Sequence, residues 1–130
     1  MKKLLLISLV LVILDQATKF FIDGTTNCGA AFGILQGFNV LFIVIGVLVA
    51  GVLLVYRKRL EGIGFYGGIL LFSGVIGNLI DRVFLGYVRD FIDVGFWPSF
   101  NLADSYNTIG IFLLIIYIWK YENKQSKIKK

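Results

Sequence analysis

The sequence predicts an all-α membrane protein, a bundle of four transmembrane helices with both termini in the cytoplasm. A small irregular or short-stranded element is expected on its outer face. The first observation behind this prediction is composition, since 58% of the 130 residues are hydrophobic and only 16% are charged. Soluble domains have about 25% charged residues, and a chain this short leaves much of its surface in contact with water. The second observation is four long apolar stretches, and the third is the placement of the basic residues around them.

Each apolar stretch approaches the length of about 20 residues that a helix needs to cross the bilayer core. The second stretch contains no charge, and the first is interrupted only near its outer end. No soluble domain fits between them, so residues 1–130 are expected to form a single membrane domain. The predicted spans are Leu4–Ile22, Phe38–Tyr56, Ile63–Ile80 and about Ala103–Trp119.

The first span has a competing interpretation, because residues 1–14 imitate a secretory signal peptide with two lysines and an apolar run. The residues that follow, Asp-Gln-Ala-Thr-Lys, offer no small-x-small cleavage site, and Cys28 is not preceded by a lipobox. We therefore expect the first span to be retained as a helix.

Basic residues set the predicted orientation, because lysine and arginine accumulate on the cytoplasmic side of membrane proteins. Ten of the 13 basic residues precede span one, join spans two and three, or follow span four. All six aspartates lie in the outer half or the outer loops. Both termini are therefore expected in the cytoplasm.

Small residues at four-residue spacing let helices approach closely in lipid. Gly64 and Gly68 have this spacing, as do the pairs Ser73–Gly77 and Gly46–Ala50. Glycine is also simply common in membrane helices. We use the pattern only to predict that span three lies inside the bundle.

Polar residues converge at one depth near the outer membrane surface. Asp15 and Lys19 share one face of span one, because residues four apart are neighbours on a helix. The same spacing relates the polar residues at the outer ends of spans three and four. An ionisable group at a membrane helix centre costs roughly 2.5–3.5 kcal/mol, so such groups need partners or a function. The converging residues are Asp15, Lys19, Asn27, Asn78, Asp81, Arg82, Asp90, Asp93, Asn101, Asp104, Asn107 and Thr108.

Each polar group also has a purely structural interpretation. Asp15 and Lys19 could form a paired lock, and Asn78, Asp81 and Arg82 could mark an ordinary helix end. Asp104 could be a helix N-cap, a position that aspartate fills readily. The loop acids Asp90 and Asp93 could be solvated, and residues 27–29 could form a plain turn.

The absence of histidine from the sequence removes Ser-His and Cys-His catalysis and nearly all ordinary zinc sites. The single cysteine, Cys28, has no histidine to activate it, so it is not expected to be catalytic. Two aspartates close together cannot both ionise cheaply, so they share a proton. Asp90 and Asp104 are the best pair, because a segment with Gly95 and Pro98 could turn the chain back between them. No metal or other cofactor is expected.

Four blocks of sequence resemble the lipoprotein signal peptidase (signal peptidase II) family, with a shortened outer segment after Lys19. They occur in the family's order on the corresponding spans. The blocks are LDQATKFFI at 14–22, NCGAAFGIL at 27–35, GNLIDRVFLGYVRDFIDV at 77–94 and FNLADSYNTIG at 100–110.

The resemblance implies an intramembrane aspartyl endopeptidase that removes signal peptides from diacylglyceryl-modified prolipoproteins, cleaving before the lipidated cysteine. It implies a catalytic pair, Asp90 and Asp104, and a structural motif, Asp15 with Lys19; Asp81 and Asp93 are not expected to be catalytic. The residues it implies for substrate binding or for ordering the catalytic pair are Asn27, Asn78, Arg82 and Asn101.

The resemblance places the protein in the bacterial inner membrane, with its active site near the periplasmic face. Its expected partners are the lipid-modified prolipoprotein and membrane lipid, with no nucleic acid, and we expect a monomer. Two alternatives from other classes stay open on the residues alone. One is a small four-helix transporter or channel subunit that uses its membrane aspartates. The other is a structural membrane protein without activity.

Overall fold

The computed structural model describes residues 2–29 and 37–128, with side chains described up to Lys124. Within these residues the chain forms four long helices and two short strands, which confirms the predicted fold class. All four helices are long and apolar enough to cross a membrane. The elements are α1 Lys2–Phe21, β1 Thr25–Asn27, α2 Asn39–Tyr56, α3 Gly62–Phe84, β2 Val88–Asp90 and α4 Leu102–Ile128.

Two helices extend by four residues or more beyond the C-terminal ends of the predicted apolar spans. Helix α3 continues four residues past Ile80, so Asp81 and Arg82 lie inside its last turns. Helix α4 continues past Trp119 to Ile128, because the polar residues there contain no glycine or proline and most favour helix. Hydropathy predicts where a helix leaves the apolar core, whereas the helix itself ends where its backbone hydrogen bonds stop.

Helix α3 lies inside the bundle, as predicted, and packs against each of the other three helices. Its contact with α4 is close enough for backbone to meet backbone. A Cβ atom added at Gly110 would lie 2.6 Å from the Leu71 nitrogen and 2.9 Å from the Gly67 oxygen. In lipid, where no hydrophobic force draws helices together, small residues of this kind let the backbones approach.

Consecutive helices alternate in direction, which gives the bundle two distinct ends. At one end, Leu4 of α1, Leu54 of α2 and Gly68 of α3 line a small common cavity. The Tyr117 hydroxyl of α4 donates a hydrogen bond to the Arg59 carbonyl at the same end. We call this the basic end, because the tri-basic segment 57–59 lies there. The buried polar side chains gather at the opposite end, which we call the polar end.

The two strands form an antiparallel sheet at the polar end, which gives a definite form to the predicted outer element. Thr25 pairs with Asp90, Thr26 with Arg89 and Asn27 with Val88. The chain between α1 and the sheet passes Gly24, where an added Cβ would overlap the Asp90 carbonyl oxygen. Glycine is therefore required there, and the sheet holds residue 90 directly over the helix ends.

Candidate active site

Asp90 is the last residue of β2, and its carboxylate is almost completely enclosed, with the residue 2% exposed. Its Oδ2 accepts a hydrogen bond from Asn27 Nδ2 at 2.9 Å. Its Oδ1 accepts one from Asn101 Nδ2 at 2.7 Å. Asp90 is therefore a held, buried group, and its interpretation as a solvated loop acid is wrong.

Asp104 lies in the first turn of α4 and forms a reciprocal cap with Asn101. The Asp104 backbone N–H donates to Asn101 Oδ1 at 2.8 Å, and the Asn101 backbone N–H donates to Asp104 Oδ2 at 3.2 Å. This is the capping-box geometry, with Asn101 as the N-cap and Asp104 three residues later. The interpretation of Asp104 as the N-cap is therefore wrong by three residues. The cap instead fixes the Asp104 carboxylate at the helix start.

Asn101 connects the two acids, because its side chain touches Asp90 while its backbone and amide oxygen hold Asp104. It is completely buried. Its Nδ2 also lies 3.1 Å from Asn78 Oδ1. One amide thus brings together the two residues that the sequence pairs as catalytic.

Asn78 of α3 holds Asp104 from the opposite side. Its Nδ2 donates to Asp104 Oδ1 at 2.8 Å, and its Oδ1 accepts a hydrogen bond from Lys19 Nζ at 3.0 Å. A lysine ammonium can only donate hydrogen bonds. Lys19 therefore fixes which end of the Asn78 amide faces Asp104, and Asn78 is more than an ordinary helix-end residue.

Asp15 and Lys19 form the predicted lock, with Lys19 Nζ 2.8 Å from Asp15 Oδ2 and both side chains fully buried. Asp15 has a second contact, since its Oδ1 accepts the Ala103 backbone N–H at 2.9 Å. That N–H is one of the four at the start of α4 that have no partner within the helix. The Asp15–Lys19 pair therefore positions α4, which carries Asp104.

A further polar cluster, centred on the buried Asp81, joins β2 to the membrane helices, and sequence reasoning missed two of its members, Gln16 and Arg89. Arg89 Nη2 donates to Asp81 Oδ1 at 2.8 Å and to Gln16 Oε1 at 2.9 Å. The Arg89 backbone N–H donates to Asp81 Oδ2 at 3.0 Å. Asp81 is completely buried. The cluster anchors the strand residue directly before Asp90, so Asp81 supports the position of that strand.

Only the position of these two residues beside recognised ones could have identified them. Gln16 follows Asp15, and Arg89 precedes Asp90. The spacing between Asp81 and Arg89 carries no periodic signal, because the two residues belong to different elements and the chain turns between them at Gly86, which has a φ of 84°. A turn of this kind does not repeat, so periodicity does not reveal the contact.

The described hydrogen bonds of Arg82 go to groups other than the two carboxylates. Its Nη2 donates to the Gly29 carbonyl at 2.7 Å, and its guanidinium lies 4.5 Å from the centre of the Phe42 ring. The Asn39 side chain donates to the Arg82 carbonyl at 3.0 Å. Arg82 thus ties the start of α2 and the segment after β1 to the end of α3.

The segment after β1 forms the predicted turn, in which the Gly29 N–H donates to Asn27 Oδ1 at 3.0 Å. This turn also orients the Asn27 amide, whose Nδ2 reaches Asp90. Cys28 is a free, exposed thiol. Residues 30–35 of the second sequence block lie outside the described residues.

The loop between Asp90 and Asp104 covers the site. Ile92 and Phe100 bridge across its base, and Gly95 turns its tip with a φ of 82°. Asp93 is an exposed acid in this loop whose Oδ1 accepts the Gly95 N–H at 2.8 Å. Its interpretation as a solvated loop acid is therefore confirmed.

A cavity of about 710 Å³ opens beside the two acids. Asp90, Asp104, Asn27, Asn78 and Arg82 all line it, so five of the six residues expected in catalysis and substrate binding face one space. Asn101 lies directly behind its wall. The remaining lining is largely apolar and comes from the covering loop and the first turns of α4, including Val94, Phe96, Trp97, Pro98, Phe100 and Ile109.

Burial gives Asp90 an unusual protonation equilibrium. The pKa of Asp90 is raised from 3.8 to about 6, mainly by loss of solvent contact and in part by the Asp104 charge, while the Asn27 and Asn101 hydrogen bonds oppose the shift. The pKa of the neighbouring Arg89 is raised, mainly by its hydrogen bond to Asp81. A carboxyl that titrates near neutral pH can take part in proton transfer.

The described residues contain no group of three or more His, Cys, Asp or Glu side chains that could hold a metal ion. The arrangement instead offers two carboxyl groups beside a cavity, held by amides and backbone N–H groups. It suits acid–base chemistry on a carbonyl compound.

Comparison with known proteins identifies the family. A family model described as Signal peptidase (SPase) II matches residues 7–120. The lipoprotein signal peptidase of Halothermothrix orenii is 41% identical over 138 residues, an alignment that covers 90% of this chain and 95% of that protein. The lipoprotein signal peptidase of Streptococcus thermophilus strain CNRZ 1066 is 43% identical over 122 residues, covering 90% of this chain and 80% of that protein.

Solved structures agree with the sequence relatives. A bacterial membrane enzyme solved at 2.3 Å by the in meso method superposes with a TM-score of 0.83 at 34% identity, over 92% of this chain and 89% of that one. A second bacterial membrane enzyme, solved at 1.9 Å, gives a TM-score of 0.78 over 91% of this chain and 93% of its own. These similarities set aside the transporter and inactive alternatives. The chain is a multi-pass bacterial membrane protein and belongs to the signal peptidase II family of aspartyl endopeptidases.

Proposed function

We propose that this protein removes signal peptides from diacylglyceryl-modified prolipoproteins, cleaving before the lipidated cysteine, with Asp90 and Asp104 as its catalytic pair. The observation that carries the proposal is the pairing of these two carboxyl groups through Asn101 at the wall of one cavity. The relatives named lipoprotein signal peptidase support the choice of substrate.

In the proposed reaction the two acids share one proton, because like charges this close do not both ionise cheaply. The ionised carboxylate takes a proton from a water molecule, whose oxygen attacks the scissile carbonyl carbon. The protonated carboxyl donates its hydrogen to the carbonyl oxygen. When the tetrahedral intermediate collapses, the C–N bond breaks and the leaving nitrogen takes a proton from the acid that received it from water. The other carboxylate takes back its proton from the hydroxyl that it had protonated, which restores the shared proton of the pair.

The surrounding polar groups fit two supporting roles. Asn101 and Asn78 order the pair, since each donates to one of the two carboxylates. Asn27 holds the second oxygen of Asp90. Arg82 borders the cavity and is suited to holding substrate backbone carbonyls, because a guanidinium presents several N–H donors.

The apolar part of the cavity suits a lipidated substrate. Aromatic and aliphatic residues of the covering loop face the same space as the two acids. A diacylglyceryl cysteine would enter from the bilayer, with its cleavage point at the level of the carboxylates. We place the site near the periplasmic face of the inner membrane, with the basic end in the cytoplasm, following the distribution of lysine and arginine. A monomer contains every group that this reaction uses.

A gel-shift assay with purified protein in detergent and a diacylglyceryl-modified prolipoprotein tests the proposal. We expect the wild type to cleave it, and Asp90→Asn or Asp104→Asn to lower the rate at least about a thousandfold, because neither variant can share a proton across the pair. Both variants should remain folded and inserted. EDTA should leave the rate unchanged.

The matched control is Asp93→Asn, which removes an exposed carboxylate from the same loop. It should cleave at close to the wild-type rate. Full activity in Asp90→Asn or Asp104→Asn would contradict the catalytic assignment. Loss of activity with EDTA that a divalent ion restores would contradict the aspartyl mechanism.

A further inference from the structure

Asn107 of α4 is a polar residue in the cavity wall that the mechanism above does not use. Its Oδ1 is buried without a hydrogen-bond partner. Within the part of the chain that the structure describes, its side chain makes no hydrogen bond. Buried polar groups in proteins are nearly always paired, so one that is not needs an explanation.

The neighbouring polar side chains of α4 are satisfied by their own helix. Ser105 Oγ donates to the Asn101 carbonyl at 3.3 Å, and Thr108 Oγ1 donates to the Asp104 carbonyl at 2.9 Å. Both residues also line the cavity. Asn107 therefore differs from its neighbours in having no internal use for its polar atoms.

The position of the Asn107 amide is fixed by packing against α3. A Cβ added at Gly74 would overlap both Asn107 Oδ1 and the Ala103 carbonyl oxygen. The amide oxygen is thus pressed onto the glycine, which leaves the Nδ2 donor as the accessible polar atom of a residue that lines the cavity. A donor held in place before a ligand arrives loses little entropy on binding.

Asn107 lies three residues after Asp104 on the same helix face. At 1.5 Å per residue it is roughly 4.5 Å deeper in the bundle. A substrate whose scissile bond reaches the carboxylates would extend past this point into the membrane. In an apolar cavity, an unpaired donor at this depth selects for an acceptor on the substrate.

We propose that Asn107 Nδ2 donates a hydrogen bond to a carbonyl oxygen of the bound prolipoprotein, one helical turn below the catalytic pair. The inference rests on the proposed function. Two parts of the substrate carry carbonyls at this depth: the ester groups of the diacylglyceryl modification and the last turn of the signal helix, whose final carbonyls have no helical partner. Both are acceptors of the same chemistry.

Substrate affinity measured in a variant that cannot cleave, Asp90→Asn, separates this role from catalysis. A fluorescent diacylglyceryl prolipopeptide is titrated into Asp90→Asn and into Asp90→Asn with Asn107→Leu, in the same detergent. Leucine has a similar volume and no donor. We expect the Kd to rise about two- to tenfold, which corresponds to the loss of one neutral hydrogen bond. With Asp90 intact, Asn107→Leu should raise KM by a similar factor and leave kcat nearly unchanged.

A dialkyl ether lipopeptide, which lacks the ester carbonyls, identifies the acceptor. If Asn107 binds an ester, the ether lipopeptide should raise the Kd of the Asp90→Asn parent by the same factor and should not raise the Kd of the leucine variant any further. If Asn107 binds a peptide carbonyl, the leucine substitution should raise the Kd by the same factor for both lipopeptides. The coupling between substitution and substrate distinguishes the two cases, and either result supports the proposal.

Two further variants guard the interpretation. Ser8→Ala removes the other unpartnered buried oxygen among the described side chains, away from the cavity, and should leave Kd and KM unchanged. Asn107→Ala tests the missing donor without the bulk of leucine and should also raise Kd.

Unchanged binding of both lipopeptides by Asn107→Leu and Asn107→Ala would overturn the proposal while the proposed function stands. If the wild type does not cleave the prolipopeptide and the Asp90→Asn variant does not bind it, the proposed function is overturned, and this inference with it.

Discussion

Asn101 shows how one side chain can serve fold and site together. Its amide oxygen caps α4 and its amide nitrogen holds Asp90. Loss of a helix N-cap typically costs about 1 kcal/mol of stability. Because the same side chain caps α4 and holds Asp90, it also fixes the distance between two acids on different elements. Asn101→Ala would therefore disturb both, and its effect on activity could not be separated from its effect on the helix.

Asp90 offers a cleaner measurement at the residue scale, because its pKa is raised to about 6 by burial. Between about pH 4 and 6 the folded protein binds this proton more tightly than the unfolded chain. Stability should therefore fall as the pH rises through that window and stay lower above it. The Asp90→Asn variant should not lose this stability, so its melting temperature should rise relative to that of the wild type from pH 4 to 6. Parallel curves in detergent would contradict the raised pKa.

Asn27→Ala extends the same argument to activity. The Asn27 hydrogen bond to Asp90 lowers the pKa of that carboxyl, so removing the donor should raise it. The limb of the kcat/KM profile that Asp90 controls should then move to higher pH. Thr26→Ala, at an exposed position of the same strand, is the matched control. A limb that does not move, or moves to lower pH, would contradict the assignment of Asp90 to that limb.

At the scale of elements, the position of the site depends on how closely α3 and α4 pack. Asn78 on α3 can reach Asp104 on α4 at 2.8 Å because glycines let the two backbones approach closely. Gly77 lies at the same level, where an added Cβ would lie 2.6 Å from Asp15 Oδ2. The glycine contacts between the helices therefore set the geometry of the polar cluster as well as the stability of the bundle.

Gly110→Ala should separate the two helices, because the atoms its methyl would meet are backbone and cannot rotate away. We expect a loss of about 1–3 kcal/mol, the usual range for overpacking, measured as a lower melting temperature in detergent. Activity should fall as well, since Asp104 moves with α4.

Gly51→Ala is the control for this prediction. Gly51 lies in the middle of α2 with no neighbouring atom within 4 Å of an added Cβ. Alanine favours helix over glycine by up to about 1 kcal/mol, so this variant should be equal to the wild type or slightly more stable. Equal melting temperatures for the two alanine variants would contradict the close α3–α4 packing.

At the scale of the whole molecule, composition and spacing predicted the elements well and the contacts between them only in part. Four apolar runs sufficed for four helices, because a membrane span has a fixed length. Spacing within a helix identified Asp15 with Lys19, a contact that the structure confirms. The capping role at α4 was assigned to Asp104 when it belongs to Asn101, since either residue type fills an N-cap well.

Contacts that join separate elements through loops were the ones the sequence did not predict. The Gln16, Asp81 and Arg89 cluster depends on the turn at Gly86 and on the two-stranded sheet, and neither has a periodic signal. The same is true of Asn27, whose contact with Asp90 follows from strand pairing over 63 residues of sequence. The convergence of polar residues at one depth placed Asn27 near the site, and the resemblance implied its role, but neither predicted its contact with Asp90.

The orientation of the molecule is the property on which the position of the site depends. The tri-basic segment 57–59 lies at the basic end, opposite the two carboxylates, and lysine and arginine are retained in the cytoplasm. We expect a green fluorescent protein fused after residue 60 to fluoresce and an alkaline phosphatase fused after residue 95 to be active. Reversing the segment with Arg57→Glu, Lys58→Glu and Arg59→Glu should mix these signals, because it removes three of the ten basic residues on that side.

The matched control exchanges the bases without changing their charge, as Arg57→Lys, Lys58→Arg and Arg59→Lys, and should report the wild-type orientation. A phosphatase active after residue 95 places the loop over Asp90 and Asp104 outside the cytoplasm, where the cleavage point of an exported lipidated precursor arrives. Fluorescence after residue 95 in the wild type would put the site on the cytoplasmic side. The carboxylates would then face the side from which an uncleaved precursor has already departed, and the proposed substrate could not reach them.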